Sequence, residues 1–203
     1  MPSTDAAWWR EFLELAFLGN ALIVLVIRIA YQRRTRRETT TRSTPQTVDT
    51  GLRLLAFMAM VPLPLIALLT HGFAGASYHL PRLAGAAGIP VSLAGTWLFW
   101  RAHRDLGLNW SARLRIRTDH ALVTQGVYRR IRHPMYSAML VCGVGQFLLL
   151  QNWIAGPVLF IVGMIFLVVR VPAEEAMMLR EFGDQYRHYM QHTGRILPRL
   201  RNT

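Results

Sequence analysis

The sequence has no lysine, so arginine supplies all 23 of its basic residues, and only 11 acidic residues oppose them. We interpret the exclusive use of arginine as the codon bias of a GC-rich bacterial genome. Charged residues make up 17% of the chain and hydrophobic residues 52%, a balance that argues against a soluble domain and indicates a membrane protein. In so apolar a chain, we attribute the net charge of +12 to cytoplasmic loops and anionic lipids rather than to nucleic-acid binding.

Cysteine is also nearly absent from the sequence. Cys142 is the only one, which excludes a disulfide framework and a thiolate metal cluster. His188 and His192 have a spacing that can bind a metal on a helix, but the sequence offers no third ligand, so we predict no metal site. Gly143 and Gly145 form a Gly-x-Gly that does not follow a strand, and it is therefore not a dinucleotide-binding fingerprint.

Five apolar segments are long enough, or nearly so, to cross the hydrocarbon core of a bilayer. They run from Phe12 to Tyr31, from Leu52 to Thr70, from Leu83 to Trp100, from Met135 to Leu150 and from Trp153 to Val169. Acidic residues precede the first segment, so we expect a retained span rather than a cleaved signal peptide. In the third segment, Gly88, Ser92 and Gly95 recur on one face, which favours close helix packing. Only Gln151 and Asn152 separate the last two segments, which predicts a tight antiparallel hairpin.

Arginine is concentrated in alternate loops. Clusters lie between the first and second segments, between the third and fourth, and after the fifth, whereas the loop near Ser77 holds one arginine and the turn after Leu150 holds none. By the positive-inside rule, this pattern places the N-terminus outside and the C-terminus in the cytoplasm. We therefore predict an all-α integral membrane protein with five transmembrane helices, in the cell membrane of a bacterium or archaeon.

The edge of the fourth segment, Gly126-Val-Tyr-Arg-Arg-Ile-Arg-His-Pro-Met-Tyr136, groups ionisable and aromatic residues. Pro134 suits the first turn of a helix, where its missing N–H would be unpaired anyway, so we expect the fourth span to begin there, after His133. The open N–H groups of that turn, reinforced by nearby arginines, can bind an anion. Tyr128 and Tyr136 add flat aromatic surface that suits a planar base. The structural alternative is an arginine-rich membrane anchor.

A second cluster, Arg170-Val-Pro-Ala-Glu-Glu175, follows the fifth segment. Arg170 and Glu174 share a face if the helix continues, but Pro172 is expected to kink or end it. Glu174 and Glu175 should repel each other unless a cation lies close. Either the helix end is closed by a salt bridge, or a glutamate binds a cationic ligand group while Arg170 holds an anionic one. Because the hairpin brings this cluster towards His133, we favour a functional site that faces the cytoplasm.

In this order and placement, the motifs resemble the isoprenylcysteine carboxyl methyltransferase family, which also includes phospholipid N-methyltransferases. The resemblance covers roughly residues 101–198 and is nearest to short prokaryotic members with five spans. Its elements are His120-Ala-Leu-Val123, Gly126-x-Tyr128, Arg132-His-Pro-x-Tyr136, Glu174-Glu175, Phe182-Gly-x-x-Tyr186-x-x-Tyr189 and Leu197-Pro198.

The resemblance implies an integral membrane methyltransferase that uses S-adenosyl-L-methionine, releases S-adenosyl-L-homocysteine and has no Rossmann domain. The implied cofactor-binding residues are His120, Ala121, Leu122, Val123, Tyr128, His133, Pro134, Met135, Tyr136 and Glu174. The implied catalytic residues are Arg170 and Glu174, with Arg170 also binding the substrate. The implied partners are membrane lipids and a lipidic or lipidated small substrate, without nucleic acid or metal.

The chain is expected to divide into two regions. Residues 1–100 are predicted to form an N-terminal membrane region of three transmembrane helices, with a polar cytoplasmic linker near residues 32–51. Residues 101–203 are predicted to form the catalytic region, which comprises a cytoplasmic loop, a transmembrane hairpin over residues 134–171 and a C-terminal helix. A stripe with helical spacing predicts that this last helix is amphipathic and completes the cofactor site. The stripe consists of Glu175, Met178, Leu179, Phe182, Tyr186 and Tyr189.

The predicted reaction is carboxyl O-methylation, at the membrane interface, of a substrate that resembles a protein S-isoprenylcysteine. A carboxylate acceptor is already ionised, whereas a lipid amine must lose a proton, for which Glu174 or Glu175 is the candidate base. The alternatives are a phospholipid N-methyltransferase and an NADPH-dependent membrane lipid or sterol reductase, which has a similar Arg-His-Pro-x-Tyr element. A non-catalytic membrane sensor or scaffold is a third possibility, and it predicts that neither cofactor binds.

Overall fold

The structure is a computed structural model, and it describes residues 4–35, 42–43, 46–70, 73–107, 115–116 and 122–199. Its α-helices are α1 (Thr4–Thr35), α2 (Gln46–Met60), α3 (Pro62–Thr70), α4 (Arg82–Leu106), α5 (Pro134–Leu150) and α6 (Val158–His192). Short 3₁₀ helices cover Ala74–Ala76 and Gly126–Arg129. An antiparallel pair of two-residue strands, β1 (Arg42–Ser43) and β2 (Arg115–Ile116), is the only sheet among the described residues.

The helical class predicted from the sequence is confirmed. Three segments in the described part of the chain are long and apolar enough to cross a membrane, namely Ala7–Arg34, Thr50–Thr70 and Arg82–Leu106, with 28, 21 and 25 residues. Helix α5 is apolar but shorter. The five-span count and the orientation of the termini stay predictions.

The predicted second span consists of two helices rather than one. Helix α2 ends at Met60 and α3 begins at Pro62, with Val61 in a turn between them. Pro62 has no N–H to donate to the preceding turn. The N–H of Val61 still donates to the carbonyl of Phe57 at 3.2 Å. The hydrogen-bond ladder is therefore interrupted at the proline, although the apolar segment continues.

The fifth apolar segment and the predicted C-terminal helix form one element, α6. Pro172 lies inside this helix, so of the two outcomes expected there, a kink or an end of the helix, the end is wrong. Pro172 is exposed, so its ring lies away from the buried helix contacts. The backbone leaves the helical range at Gly183 instead, with φ 50° and ψ −122°. A residue without a Cβ adopts positive φ readily, so the bend falls at the glycine.

Helices α5 and α6 pack against each other as predicted, but the turn between them is longer than Gln151–Asn152. Residues 151–157 connect them, and Gln151 takes a left-handed conformation with φ 46°. Asn152 Oδ1 accepts hydrogen bonds from the N–H groups of Ile154 and Ala155, each at 3.0 Å. This side-chain contact stabilises a wider turn that hydropathy alone does not reveal.

Small residues allow α4 and α5 to pack closely, as the sequence predicts. A Cβ placed on Gly88 would lie 2.8 Å from Cγ of Leu149, and one on Gly95 would lie 2.6 Å from Sγ of Cys142. Ser92 likewise packs directly against Gly145. Larger side chains would separate the two backbones, so these residues set the spacing of the helices.

The N-terminal helices pack against this pair and against α6. Leu13 and Phe17 of α1 lie in a buried cluster with the end of α5, while Ala59 of α2 packs against α6. Gln146 Nε2 donates to the carbonyl oxygens of Ala59 at 3.2 Å and Ala155 at 2.7 Å. Because both N-terminal helices are held in place, they can form walls of an internal cavity.

The close contact between α5 and α6 makes Gly143→Ala a sharp test of the packing. A Cβ at this position would lie 2.5 Å from the backbone nitrogen of Phe160 and 2.7 Å from its Cα. Since backbone atoms cannot rotate away, we expect the free energy of unfolding to fall by about 1–3 kcal/mol. Thermal unfolding of the protein in one detergent would measure the change.

The matched control is Gly19→Ala in α1, where a Cβ meets nothing within 4 Å. Because alanine favours helix over glycine, this change should be neutral or stabilise the protein by up to about 1 kcal/mol. Equal unfolding temperatures for the two variants would contradict the close packing of α5 on α6.

Candidate active site

A cavity of about 260 Å³ lies between α1, α2, α4, α5 and α6. Its wall includes the following residues predicted for the site: Leu122, Val123, Tyr128, His133, Pro134, Met135, Tyr136, Arg170 and Glu174. His120 and Ala121 lie outside the described residues. The structure thus brings the two sequence clusters to the wall of one cavity.

Helix α5 begins at Pro134, as the sequence predicts, with His133 at its N-terminal boundary. The segment that follows α6 forms hydrogen bonds with the backbone just before this helix start. The N–H of Arg132 donates to the carbonyl of Gly194 at 2.8 Å, and the N–H of His133 donates to that of Arg195 at 3.0 Å. The segment that follows α6 therefore covers part of the helix N-terminus that the sequence predicts as an anion-binding site.

The arginines next to this helix end have different environments. Arg129 and Arg130 are exposed. The side chain of Arg132 is only 9% exposed, and its Nη2 lies 3.1 Å from Oε1 of Glu175. Its Nη1 donates to the carbonyl of Met190 at 3.0 Å. Arg132 therefore binds a neighbouring carboxylate and the end of α6.

Glu175 is the centre of a buried ion-pair cluster. The residue is 7% exposed. Besides Arg132, its partners are His133, whose Nε2 lies 3.2 Å from Oε1, and Arg195, whose Nη2 lies 2.6 Å from Oε2. A buried carboxylate needs such compensation, because desolvation of an unpaired charge is costly. The cluster fastens α6 both to the start of α5 and to the C-terminal segment.

Glu174 faces the cavity and has its own set of partners. The hydroxyl of Tyr136 donates to Oε1 at 2.6 Å, and Nε of Arg170 donates to the same oxygen at 3.2 Å. His133 Nδ1 lies 3.4 Å from Oε2. The two ring nitrogens of His133 thus face the two adjacent glutamates, an arrangement that suits the doubly protonated ring. The repulsion expected between Glu174 and Glu175 is relieved by this shared cation.

The pKa values of these groups follow from the cluster. Burial by itself lowers the pKa of His133, but hydrogen bonds to Glu174 and Glu175 outweigh it and raise the pKa above its ordinary value. Burial by itself raises the pKa of Glu175, yet bonds from His133 and Arg195 bring it down to about 2. The pKa of Glu174 is likewise lowered, since the bond to His133 and the charge of Arg170 outweigh burial. Both carboxylates are therefore ionised at neutral pH.

Tyrosines near the end of α6 fix the cavity wall beyond Gly183. The hydroxyl of Tyr189 donates to the carbonyl of Tyr128 at 2.6 Å, and the hydroxyl of Tyr128 donates to that of Ala102 in α4 at 3.3 Å. Tyr186 and Tyr189 both line the cavity. The C-terminal part of α6 is therefore joined to α4 through the 3₁₀ helix before α5.

The sequence does not predict two arginines of the first two helices that line the cavity. Arg28 of α1 and Arg53 of α2 both line the cavity. A signal was available, since each lies within an apolar segment predicted to span the membrane, where charged residues are rare and often functional. Neither residue belongs to the motifs that carry the resemblance, because those motifs lie in the second half of the chain.

The family model for the isoprenylcysteine carboxyl methyltransferase (ICMT) family matches residues 88–180, which include Arg170, Glu174 and the start of α5. Protein-S-isoprenylcysteine O-methyltransferase B of Arabidopsis thaliana is 35% identical over 106 residues, covering 51% of this chain and 54% of the relative. The corresponding enzyme of Tribolium castaneum is 37% identical over 81 residues, covering 40% of this chain and 29% of the relative. The chain therefore spans about half or less of the length of these curated relatives.

A solved structure, that of the eukaryotic intramembrane Ras methyltransferase ICMT without a monobody, has a similar fold. It matches with a TM-score of 0.53 and 26% sequence identity, covering 78% of this chain and 54% of that one. Sequence and fold agree over the helices that carry the two clusters, and over residues 88–180 the chain is similar to the isoprenylcysteine carboxyl methyltransferase family.

Proposed function

We propose that the protein is an S-adenosyl-L-methionine-dependent methyltransferase that esterifies the carboxylate of a lipidic acceptor, of the S-isoprenylcysteine kind, at the membrane interface. The observation that carries the proposal is the presence of both Arg170 and Glu174 on the wall of a largely apolar cavity between the helices. An arginine suits the acceptor carboxylate, and a glutamate suits a cationic cofactor.

The residues of the cavity fit this cofactor. When bound, S-adenosyl-L-methionine supplies a methyl group on a positively charged sulfur, and its transfer leaves S-adenosyl-L-homocysteine. Glu174 is the only carboxylate among the described lining residues, and it can pair with the cationic amino group of such a ligand. Tyr128, Leu122 and Val123 offer apolar and aromatic surface to a planar base. His120 and Ala121 complete the proposed set of cofactor contacts.

Arg170 is proposed to orient the acceptor. Its side chain is 7% exposed, and its guanidinium lies over the ring of Phe166, 5.7 Å from the ring centre. A guanidinium has parallel N–H donors that fix the plane of a carboxylate. Neighbouring apolar side chains, among them Leu159 and Met139, suit a lipid tail and exclude water. Alignment of the acceptor oxygen is the main contribution that the protein makes to an in-line displacement.

The lowered pKa values favour a carboxylate acceptor over a lipid amine. A general base works best when its pKa lies near the operating pH. Glu175 has a pKa of about 2 and Glu174 has a lowered pKa, because both are bound by cations. Neither is suited to remove a proton from an amine at neutral pH. An ionised carboxylate needs no base, so the reaction of the prenylcysteine type agrees better with the site than phospholipid N-methylation.

The proposed site faces the cytoplasm, which the arginine-rich loops beside it support, and the expected location is a bacterial or archaeal cell membrane. The division at residue 100 into a membrane region and a catalytic region belongs to the same proposal.

The function is tested by turnover of wild-type protein and the Arg170→Gln variant. In nanodiscs with labelled S-adenosyl-L-methionine and N-acetyl-S-farnesylcysteine, wild type should form a labelled methyl ester. Arg170→Gln removes the guanidinium group that is proposed to bind the acceptor carboxylate. We therefore expect turnover to fall at least about 100-fold, while the affinity for S-adenosyl-L-homocysteine is nearly unchanged. Arg180→Gln, on the exposed side of α6, is the control.

Calorimetric titration that shows binding of NADPH and none of S-adenosyl-L-homocysteine would instead indicate a reductase.

Glu174→Gln should weaken binding of S-adenosyl-L-homocysteine by roughly 10- to 100-fold, because a charge-assisted contact to the amino group is lost. Calorimetry would measure the affinity, and thermal unfolding would confirm that the variant is folded. Glu181→Gln removes the same charge from an exposed position of α6 and should bind normally. Unchanged affinity in Glu174→Gln would remove this residue from the cofactor site.

The raised pKa of His133 predicts a pH dependence of stability. An unfolded histidine has a pKa near 6.5, so the stability contributed by the protonated ring is fully present below about pH 6.5. It is lost as the pH rises through the higher pKa of the folded state. The difference in unfolding free energy between wild type and His133→Gln should therefore be largest near pH 6 and shrink towards pH 9. A difference that grows with pH would contradict a protonated His133 between the glutamates.

A further inference from the structure

Asp105 is an acidic residue in the last turn of α4, a position that local electrostatics disfavour. The C-terminal end of a helix carries a partial negative charge, and Arg104, next to it, is the kind of residue that is favoured there. The side chain of Asp105 is nevertheless only 13% exposed. A carboxylate buried at the negative end of a helix must be stabilised by contacts from elsewhere in the fold.

Two donors approach the same oxygen of this carboxylate. The N–H of Val127 donates to Oδ2 of Asp105 at 2.9 Å, and Nη2 of Arg101, one turn earlier in α4, lies 3.4 Å from it. The contact with Arg101 lies within one helix, whereas the bond from Val127 joins residues that are 22 positions apart. Asp105 therefore connects the end of α4 to the 3₁₀ helix Gly126–Arg129.

Gly126 leaves room for this carboxylate. Its φ is 61°, and a Cβ at this position would lie 2.5 Å from Cγ of Asp105. Both the positive φ and the close approach favour a residue without a side chain. The 3₁₀ helix can therefore lie directly against Asp105, with the N–H of Val127 directed at its oxygen.

The segment that Asp105 holds carries part of the proposed cofactor site. Leu122 and Val123 precede the 3₁₀ helix, Tyr128 lies within it, and all three line the cavity. The hydroxyl of Tyr128 also donates to the carbonyl of Ala102 in α4, but at 3.3 Å, which is long for such a bond. Asp105 itself is not among the residues that line the cavity, so it would act on a ligand through this segment.

We propose that Asp105 is a positioning residue for the cofactor, because its bond to the Val127 N–H holds Leu122, Val123 and Tyr128 in place before the cofactor binds. A wall that is already ordered loses less conformational entropy on binding, so the affinity is higher. The inference rests on the proposed function for the identity of the cofactor. Arg170, the proposed acceptor residue, lies on α6, so the effect of Asp105 should be confined to the cofactor.

Three substitutions separate the hydrogen bond from the charge. Asp105→Ala removes the acceptor of the Val127 N–H, and Asp105→Glu keeps the charge but displaces the carboxylate by one methylene group. Each should weaken the affinity for S-adenosyl-L-homocysteine, and raise the KM for S-adenosyl-L-methionine, by about tenfold. Asp105→Asn keeps an acceptor oxygen in place and should restore most of the affinity. If alanine prevents folding, the comparison of Asp105→Glu with Asp105→Asn still decides.

The kinetic constants distinguish positioning from a general loss of structure. The kcat at saturating cofactor and the KM for N-acetyl-S-farnesylcysteine should change less than about twofold in the folded Asp105 variants. Asp184→Ala removes the same side chain from an exposed position of α6 and should behave as wild type. An equal fall in every constant of Asp105→Ala would indicate a structural role alone and would overturn the proposal.

Hydrogen exchange without any ligand measures the order of the segment directly. Peptides from residues 122–130 should exchange faster in Asp105→Ala than in wild type or Asp105→Asn, whereas peptides from α6 should keep their rates. Because no cofactor is present, this result does not depend on the proposed function.

Gly126→Ala tests the same contact from the other side. Its Cβ would collide with the Asp105 carboxylate, whereas the cost of the positive φ is the same in either background. We therefore expect Gly126→Ala to weaken the binding of S-adenosyl-L-homocysteine more in wild type than in Asp105→Ala. Equal losses in the two backgrounds would contradict the contact.

Wild-type affinity for S-adenosyl-L-homocysteine in Asp105→Ala, with unchanged exchange in residues 122–130, would overturn the positioning role even if wild type forms the methyl ester. Equal losses of affinity in Asp105→Ala and Asp105→Asn would also overturn it, because the charge would then matter rather than the bond to Val127. Faster exchange in Asp105→Ala, with no binding of S-adenosyl-L-homocysteine by wild type, would support the role of Asp105 in ordering the segment and count against the proposed function.

Discussion

The adjacent carboxylates of Glu174 and Glu175 inside α6 must be neutralised, and the arrangement of this site follows from that requirement. His133 lies between Glu174 and Glu175, and Arg132 and Arg195 complete the neutralisation of Glu175. Each cation comes from a different place in the chain than the glutamates it binds. The ion pairs therefore hold α5, α6 and the C-terminal segment in one geometry. Removing a single partner would leave a buried charge less well compensated, which is more costly than losing an exposed pair.

The two glutamates have separate tasks in this arrangement. Glu175 faces the protein and fastens the elements, whereas Glu174 lines the cavity beside Arg170. The same positive charges that stabilise the fold also keep the carboxylates ionised. A site of this kind is suited to binding and orienting charged groups, not to removing protons. This agrees with the proposed transfer to an acceptor that is already an anion, in which positioning is the main task of the protein.

The N-terminal helices do more than anchor the chain. Close packing at glycine brings α4 against α5, and α1 and α2 then complete the cavity with Arg28 and Arg53. The family match begins only at residue 88. The helices before it therefore line the cavity with residues that lie outside the matched part of the chain. Arg28 and Arg53 line the cavity but belong to none of the motifs shared with the family.

The sequence by itself determined the helical class, the start of α5 at Pro134 and the small-residue packing of α4, because each depends on local chemistry or on spacing along one helix. The sequence did not determine that α6 continues through Pro172 and bends at Gly183. Where a helix bends or ends also depends on how neighbouring elements pack against it. Only the tertiary structure decided that Arg132 and Arg195 neutralise Glu175, and that Arg28 and Arg53 share a cavity with Arg170. Charges pair according to distance in space, and that distance is set when helices far apart in the chain pack together.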